Sequence, residues 1–118
     1  MSHAINILDW VEDQDASVEF TTPIIDLNHR TESLAFQVAW TQGVTGTFVW
    51  EVCIIPDLWE QYISCEPVNL EIVGDEAQLH SIIVIPKNYL AAASMRVRFI
   101  SEDNSSGTYT IAQRICPN

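Results

Sequence analysis

Leu34-Ala35-Phe36-Gln37-Val38-Ala39-Trp40-Thr41 places its large apolar side chains at every second position, and Thr47-Phe48-Val49-Trp50-Glu51-Val52-Cys53-Ile54 does so again. A period of two is the pattern of a strand with one buried face. The second run sets Phe48, Trp50, Val52 and Ile54 on one face and Val49, Glu51 and Cys53 on the other. Between the two lies Gln42-Gly43-Val44-Thr45-Gly46, short and Gly-containing, of the kind that closes a hairpin.

The same alternation returns near the end of the chain. Met95-Arg96-Val97-Arg98-Phe99-Ile100 alternates apolar residues with arginine, and Thr108-Tyr109-Thr110-Ile111-Ala112-Gln113-Arg114-Ile115 alternates once more. Ser101-Glu102-Asp103-Asn104-Ser105-Ser106-Gly107 between them has the composition of an exposed turn. Residues 17–27 and 79–85 are rich in β-branched side chains. Pro23 demotes part of the first to an edge strand or a bulge. Ile82-Ile83-Val84-Ile85 is continuous, which predicts cover on both faces. Tyr89-Leu90-Ala91-Ala92-Ala93 has helical propensity for about one turn after Pro86, and residues 57–62 read as a loop entering a strand. Many short strands with polar turns predict an all-β chain, an antiparallel β-sandwich or jelly-roll-like single domain. Residues 16–118 form that domain, and residues 1–15 are an N-terminal arm or its first edge strand.

Length and composition set the outer bounds. A chain of 118 residues with 47% hydrophobic side chains has room for one core. Sixteen acidic residues against five basic ones give a net charge of −11. That balance argues against direct contact with nucleic acid and disfavours an anionic membrane surface. The first residues carry no basic and apolar leader pattern, and no apolar run approaches the ~20 residues of a membrane span. Cys53, Cys65 and Cys116 share no C-x-x-C spacing and are odd in number, which suits a reducing cytosol; pairing of Cys53 with Cys65 across neighbouring strands stays open.

Chemistry-bearing residues do not converge in the sequence. His3, His29 and His80 have no ligand spacing, and no nucleophile elbow, zinc-protease or phosphate-loop motif occurs, so no catalytic residue, metal ligand or cofactor is expected. Asp9, Glu12, Asp13 and Asp15 raise calcium binding but lack the EF-hand order, and a solvated acidic segment is the simpler reading. Trp40 and Trp50 belong to the apolar strand faces and are expected in the core. Trp10 and Trp59 are freer, suited to a ligand or a subunit contact. Arg96, Arg98 and Arg114 project opposite the apolar faces. They either pair with carboxylates such as Glu51 across the sheet or form a basic stripe for an acidic neighbour. The candidate interface residues are therefore Ile5, Ile7, Leu8 and Trp10 in the N-terminal segment, Trp59 and Tyr62 in the middle loop, and the three arginines.

An order of features in the second half carries a resemblance. Gly46 to Val52 (Gly-Thr-Phe-Val-Trp-Glu-Val) precedes a loop with Asp57 and Trp59. Then come Tyr89, Met95-Arg96-Val97-Arg98-Phe99, a Ser106-Gly107 turn and Thr108-Tyr109-Thr110-Ile111. Over residues 34–115 this resembles the small β-sandwich proteins of tailed bacteriophage virions. Their Ser-Asn-Asp-Gly loop is replaced here by Ile54-Ile55-Pro56-Asp57-Leu58. The resemblance implies a non-enzymatic virion component, made in the host cytoplasm and docked on other virion proteins. A capsid decoration or auxiliary head protein comes first, and a tail, baseplate or fibre-associated protein second. It leaves room for a homo-oligomer, trimeric by analogy with symmetric particles. A carbohydrate-binding or adhesion module stacking sugars on Trp10, Trp59 and Tyr62 is the alternative from another class. Charge is uneven along the chain: residues 1–32 hold seven acids against Arg30 alone, and three of the other four cations fall on the last two strands. That polarity suits contacts between neighbouring subunits.

Overall fold

The computed structural model describes residues 6–27, 31–53, 63–74, 77–91, 94–102, 104 and 106–117. The strands are β1 (Asn6–Asp15), β2 (Phe20–Thr21), β3 (Ile25–Asp26), β4 (Thr31–Trp40), β5 (Gly46–Cys53), β6 (Ile63–Ile72), β7 (His80–Val84), β8 (Ser94–Ser101) and β9 (Thr108–Pro117). One 3-10 turn, Lys87–Ala91, stands between β7 and β8 where the sequence suggested a single helical turn. No α-helix occurs among the described residues.

All pairings are antiparallel. Sheet I runs β1-β9-β4-β7, and sheet II runs β2-β8-β5-β6 with β3 also on β8. The all-β sandwich predicted from the alternation is therefore the observed fold. Taking β2 and β3 as one interrupted strand, the two orders become 1-8-3-6 and 2-7-4-5, the strand order of an eight-stranded jelly roll. Pro23 causes the interruption. Thr21 lies opposite Arg98 while Ile25 lies opposite Met95, so the β2–β3 side carries one residue more than β8. Buried Thr22 holds the break: its N–H donates to the Val97 carbonyl and its hydroxyl accepts from the Val97 N–H, both at 2.9 Å.

The hairpin expected between β4 and β5 does not form. The two strands lie in different sheets, β4 between β9 and β7, and β5 between β8 and β6. Each has a face of bulky rings, and the sequence holds enough apolar surface to set those faces against each other across the sandwich rather than side by side. Phe36 of β4 meets Trp50 of β5 at a ring distance of 5.7 Å. Phe48 of β5 sits 4.9 Å from Tyr109 of β9 in an edge-on contact at 85°, and 4.6 Å from Phe99 of β8. Leu34, Val38, Met95, Val97 and Ile111 fill the space around these rings. Trp40 and Trp50 are both in the core, as their alternation predicts.

The stretch between β8 and β9, expected as an exposed turn, instead fastens one end of the sandwich. The Asn104 carbonyl oxygen accepts from the Thr45 N–H at 2.8 Å. Its amide nitrogen donates to the Thr45 carbonyl at 2.7 Å, to the Ala16 carbonyl at 3.0 Å and to the Ser101 hydroxyl at 2.8 Å. The Gly74 N–H donates to the Thr45 hydroxyl at 2.9 Å, and the Ser101 hydroxyl donates to the Ala16 carbonyl at 2.6 Å. Ala16, Thr45, Gly74 and Asn104 belong to four of the six connections that carry the chain from one sheet to the other. Gly107 completes the turn with φ 108°, and a Cβ there would lie 2.7 Å from a Val44 methyl carbon, so only glycine fits.

Asn104→Ala removes this clamp and is expected to lower unfolding stability by about 2–3 kcal/mol, at roughly 0.5–1.5 kcal/mol per hydrogen bond. Asn104→Asp keeps the acceptor but aims oxygen at three oxygens, and should cost more than the alanine. Urea denaturation of the three proteins side by side checks both the loss and its order.

Candidate functional site

The predicted interface residues do not gather in one place. Ile7, Leu8 and Trp10 lie on β1, the edge strand hydrogen-bonded to β9, so the N-terminal segment from Asn6 is built into sheet I rather than appended to it. Two register shifts flank Val11, and Trp10 occupies the first of them. The side chains of Ile7, Leu8 and Trp10 lie outside the described ones, as do Ile5, Trp59 and Tyr62 altogether. Every described aromatic side chain is buried or half-buried, so the described residues offer no flat stacking platform for a sugar.

Two of the three arginines are occupied within the chain. On the outer face of sheet II, Arg96 lies directly opposite Glu51 in the β5–β8 register, and its Nε donates to Glu51 Oε1 at 2.9 Å. Arg98 approaches Glu51 Oε2 at 3.5 Å and Glu19 at 3.6 Å. The Glu51 side chain is only 9% exposed, while the arginine side chains keep 32% and 38%. A buried carboxylate is tolerated here because two guanidinium groups face it and their stems cover it. Val49 and Cys53 of β5 are buried on this same face, and Cys53 is a free thiol. The sequence placed Glu51 with these arginines; of the two roles it offered them, Arg96 and Arg98 take the ion pair.

Arg114 is exposed on the outer face of sheet I, without an ion-pair partner among the described residues. It borders an open groove of about 280 Å³ whose lining includes Ala35, Gln37, Ile82 and Ala112. The register explains its shape. Ala112, Gln37 and Ile82 form one row across β9, β4 and β7, and Arg114, Ala35 and Val84 form the next. Alanines in the middle strands leave a trough that Ile82 and Val84 wall off at the edge. Those two residues are 64% and 65% exposed. The continuous apolar run of β7 is therefore covered on one face only, against the expectation of cover on both. Ile83 and Ile85 turn to the core, and the outer face stays open because the chain lays nothing over it among the described residues. So open a groove suits a segment of another chain laid along it rather than an enclosed small molecule.

Titratable groups are used structurally. The Ser17 N–H at 2.9 Å and its hydroxyl at 2.7 Å hold the Asp15 carboxyl below its ordinary range. Asp13 adopts φ 46° in the β1 bulge and its N–H donates to the Thr110 hydroxyl at 3.1 Å. Among the described residues no three His, Cys, Asp or Glu side chains are placed to hold a metal ion. His80 is exposed on β7, opposite Ala39. No described helix is long and apolar enough to cross a membrane. Tyr109 is buried with its hydroxyl unpartnered among the described residues, and burial, then the negative charge of Asp15, pushes its phenol well above the usual range. Comparison of the chain with protein-family models, with curated proteins and with solved structures gives no match.

Two predictions follow from these charges. Glu51→Gln should destabilise by about 1–2 kcal/mol, less than a fully buried pair because the arginines are a third exposed, and the loss should shrink in high salt. Urea titrations at two ionic strengths measure it. The native Tyr109 phenol stays protonated above the pH at which an unfolded tyrosine ionises, so the folded state holds the extra proton. Stability is intact below about pH 10 and falls above it, by up to ~1.4 kcal/mol per pH unit. Tyr109→Phe should flatten that decline and, by deleting an unpartnered hydroxyl, gain about 1 kcal/mol at neutral pH. Denaturation midpoints of both proteins from pH 7 to 11 test it.

Proposed function

We propose that this chain is a non-enzymatic structural protein of a bacteriophage virion, a capsid decoration or auxiliary head protein docked on other virion proteins. The observation that carries the reading is the jelly-roll strand order of the two sheets. Jelly rolls serve capsid and lectin proteins among others, so the fold supports the reading without being sufficient for it. The sequence resemblance over residues 34–115 leans the same way. Two carboxylates are engaged structurally: Glu51 by arginines, Asp15 by Ser17. Such a protein would act by shape. The net charge of −11 directs it to neutral or cationic surfaces.

Cosedimentation of the full chain with purified capsids and, separately, with purified tails tests this. Saturable binding to capsids is the expected result. Binding to tails alone would move the protein to the tail, baseplate or fibre. Failure to bind either particle would overturn the virion reading.

A further inference from the structure

A sandwich of two open sheets has four edges, and unpaired strand edges invite association unless they are blunted. Three of the four are blunted here. β1 carries two register shifts, the φ 46° of Asp13 and a run of carboxylates. β6 breaks register opposite the stretch between Val49 and Glu51 and contains Pro67. β2 and β3 are two residues each, split by Pro23. The fourth, β7, is His80-Ser81-Ile82-Ile83-Val84: no proline, no glycine, no carboxylate, no lysine, in unbroken register with β4 from Ala39–His80 to Ala35–Val84.

The ladder phase shows which groups that edge offers. The Trp40 N–H donates to the Leu79 carbonyl and the Ile85 N–H to the Leu34 carbonyl, both at 2.9 Å. Hydrogen-bonded pairs recur at every second residue of an antiparallel ladder, so Ser81 and Ile83 also turn their backbone groups to β4. The N–H and C=O groups of His80, Ile82 and Val84 therefore point off the edge. The Gln78 amide donates to the His80 carbonyl at 2.7 Å, which leaves that oxygen a second lone pair.

We infer that β7 is the dimerisation edge of this protein, and that its partner is β7 of a second copy. The two strands run antiparallel about a two-fold axis at Ile82, joining both four-stranded sheets into one of eight. With Ile82 opposite its own counterpart, His80 of each copy stands opposite Val84 of the other, and all three pairs meet as hydrogen-bonded pairs. Charge selects a second copy over a foreign chain. A partner drawn by the −11 of this protein would be cationic and would need carboxylates at its landing site. The described outer-face positions around β7 (Ala35, Gln37, Ala39, Ala112, Arg114) carry none. A margin without acids is where two equally anionic molecules can meet. The pairing stands apart from the virion reading and holds or fails without it.

Sedimentation velocity of the full chain over a wide concentration range is the test. The wild type should show a monomer–dimer equilibrium that tightens with added salt, as screening relieves repulsion between the two anionic bodies. Ile82→Lys and Val84→Lys place charges on exposed side chains, and Ile82→Pro deletes an N–H that faces away from β4. Each should weaken dimerisation at least tenfold while leaving the melting temperature close to that of the wild type. Ile24→Lys, at an equally exposed apolar residue on another edge, should leave it unchanged. A wild type that stays monomeric at its highest soluble concentration overturns the inference, and so does a dimer that survives all three β7 variants.

Discussion

Within a sheet, a ladder of backbone hydrogen bonds fixes each strand to the next. Between the sheets of this sandwich there is no ladder, and of the six crossings from one to the other four meet at the same end. Asn104 supplies the cross-tie. Its carbonyl oxygen receives the Thr45 N–H while its amide hydrogens are shared among the oxygens of Thr45, Ala16 and Ser101. A planar amide carrying donors and an acceptor a fixed distance apart is the side chain for this task, because several crossings must be held at one point. Thr45 extends the tie to the fourth crossing through Gly74, whose missing Cβ leaves room for the Gly43 carbonyl, 2.6 Å from where that carbon would be. Sheet spacing and angle follow from this point and from the rings packed behind it.

The core explains why the two outer faces differ. β5 lies inside sheet II and buries both sides: rings inward, Val49, Glu51 and Cys53 outward beneath the arginines of β8. Among its described residues that outer face matches Glu51 with Arg96 and Arg98, while Glu71, opposite Thr47, and Ile100 stay exposed. Sheet I puts alanines at the corresponding outward positions of β4 and β9 and leaves aliphatic side chains bare on β7. Among the described residues the two most exposed large aliphatic side chains, Ile82 and Val84, therefore lie on sheet I, on the side where β7 ends the sheet.

Local pattern was enough to place β4, β5, β8 and β9, the inward rings of Trp40 and Trp50, the break at Pro23 and the facing of Glu51 by arginine. Each depends on residues within a few positions or on which face a side chain takes, and periodicity encodes both. Strand partnership is encoded elsewhere. The Gly-containing link after Trp40 has the length of a hairpin loop, yet the free energy of opposing Phe36 to Trp50 and Phe48 to Tyr109 across the sandwich outweighs pairing those neighbours in one sheet. Asn104 was illegible for the same reason, since within Ser-Glu-Asp-Asn-Ser-Ser-Gly it is one more turn residue until Ala16 and Thr45 arrive from far away in the chain. The open face of β7 also escaped, because a continuous aliphatic run has the same composition whether one face or both are covered.

The formal charge understates how anionic this molecule is to an approaching partner. Of its five cations, Arg96 and Arg98 are committed to Glu51, with Glu19 adjoining, and among the described residues Lys87 and Arg114 remain as exposed basic groups. The excess of positive charge on the last two strands is thus largely neutralised inside sheet II and does not form a basic stripe. What reaches solvent, among the described residues, is an acidic body with a neutral apolar margin at β7 and Arg114 beside it. A body of that kind repels its own copies and most cellular polyanions from nearly every direction. Specificity then comes from exclusion as much as from attraction: the contact surfaces left open to a like-charged partner are those on which the chain has placed no carboxylate, and β7 with the alanine trough beside it is such a surface among the described residues.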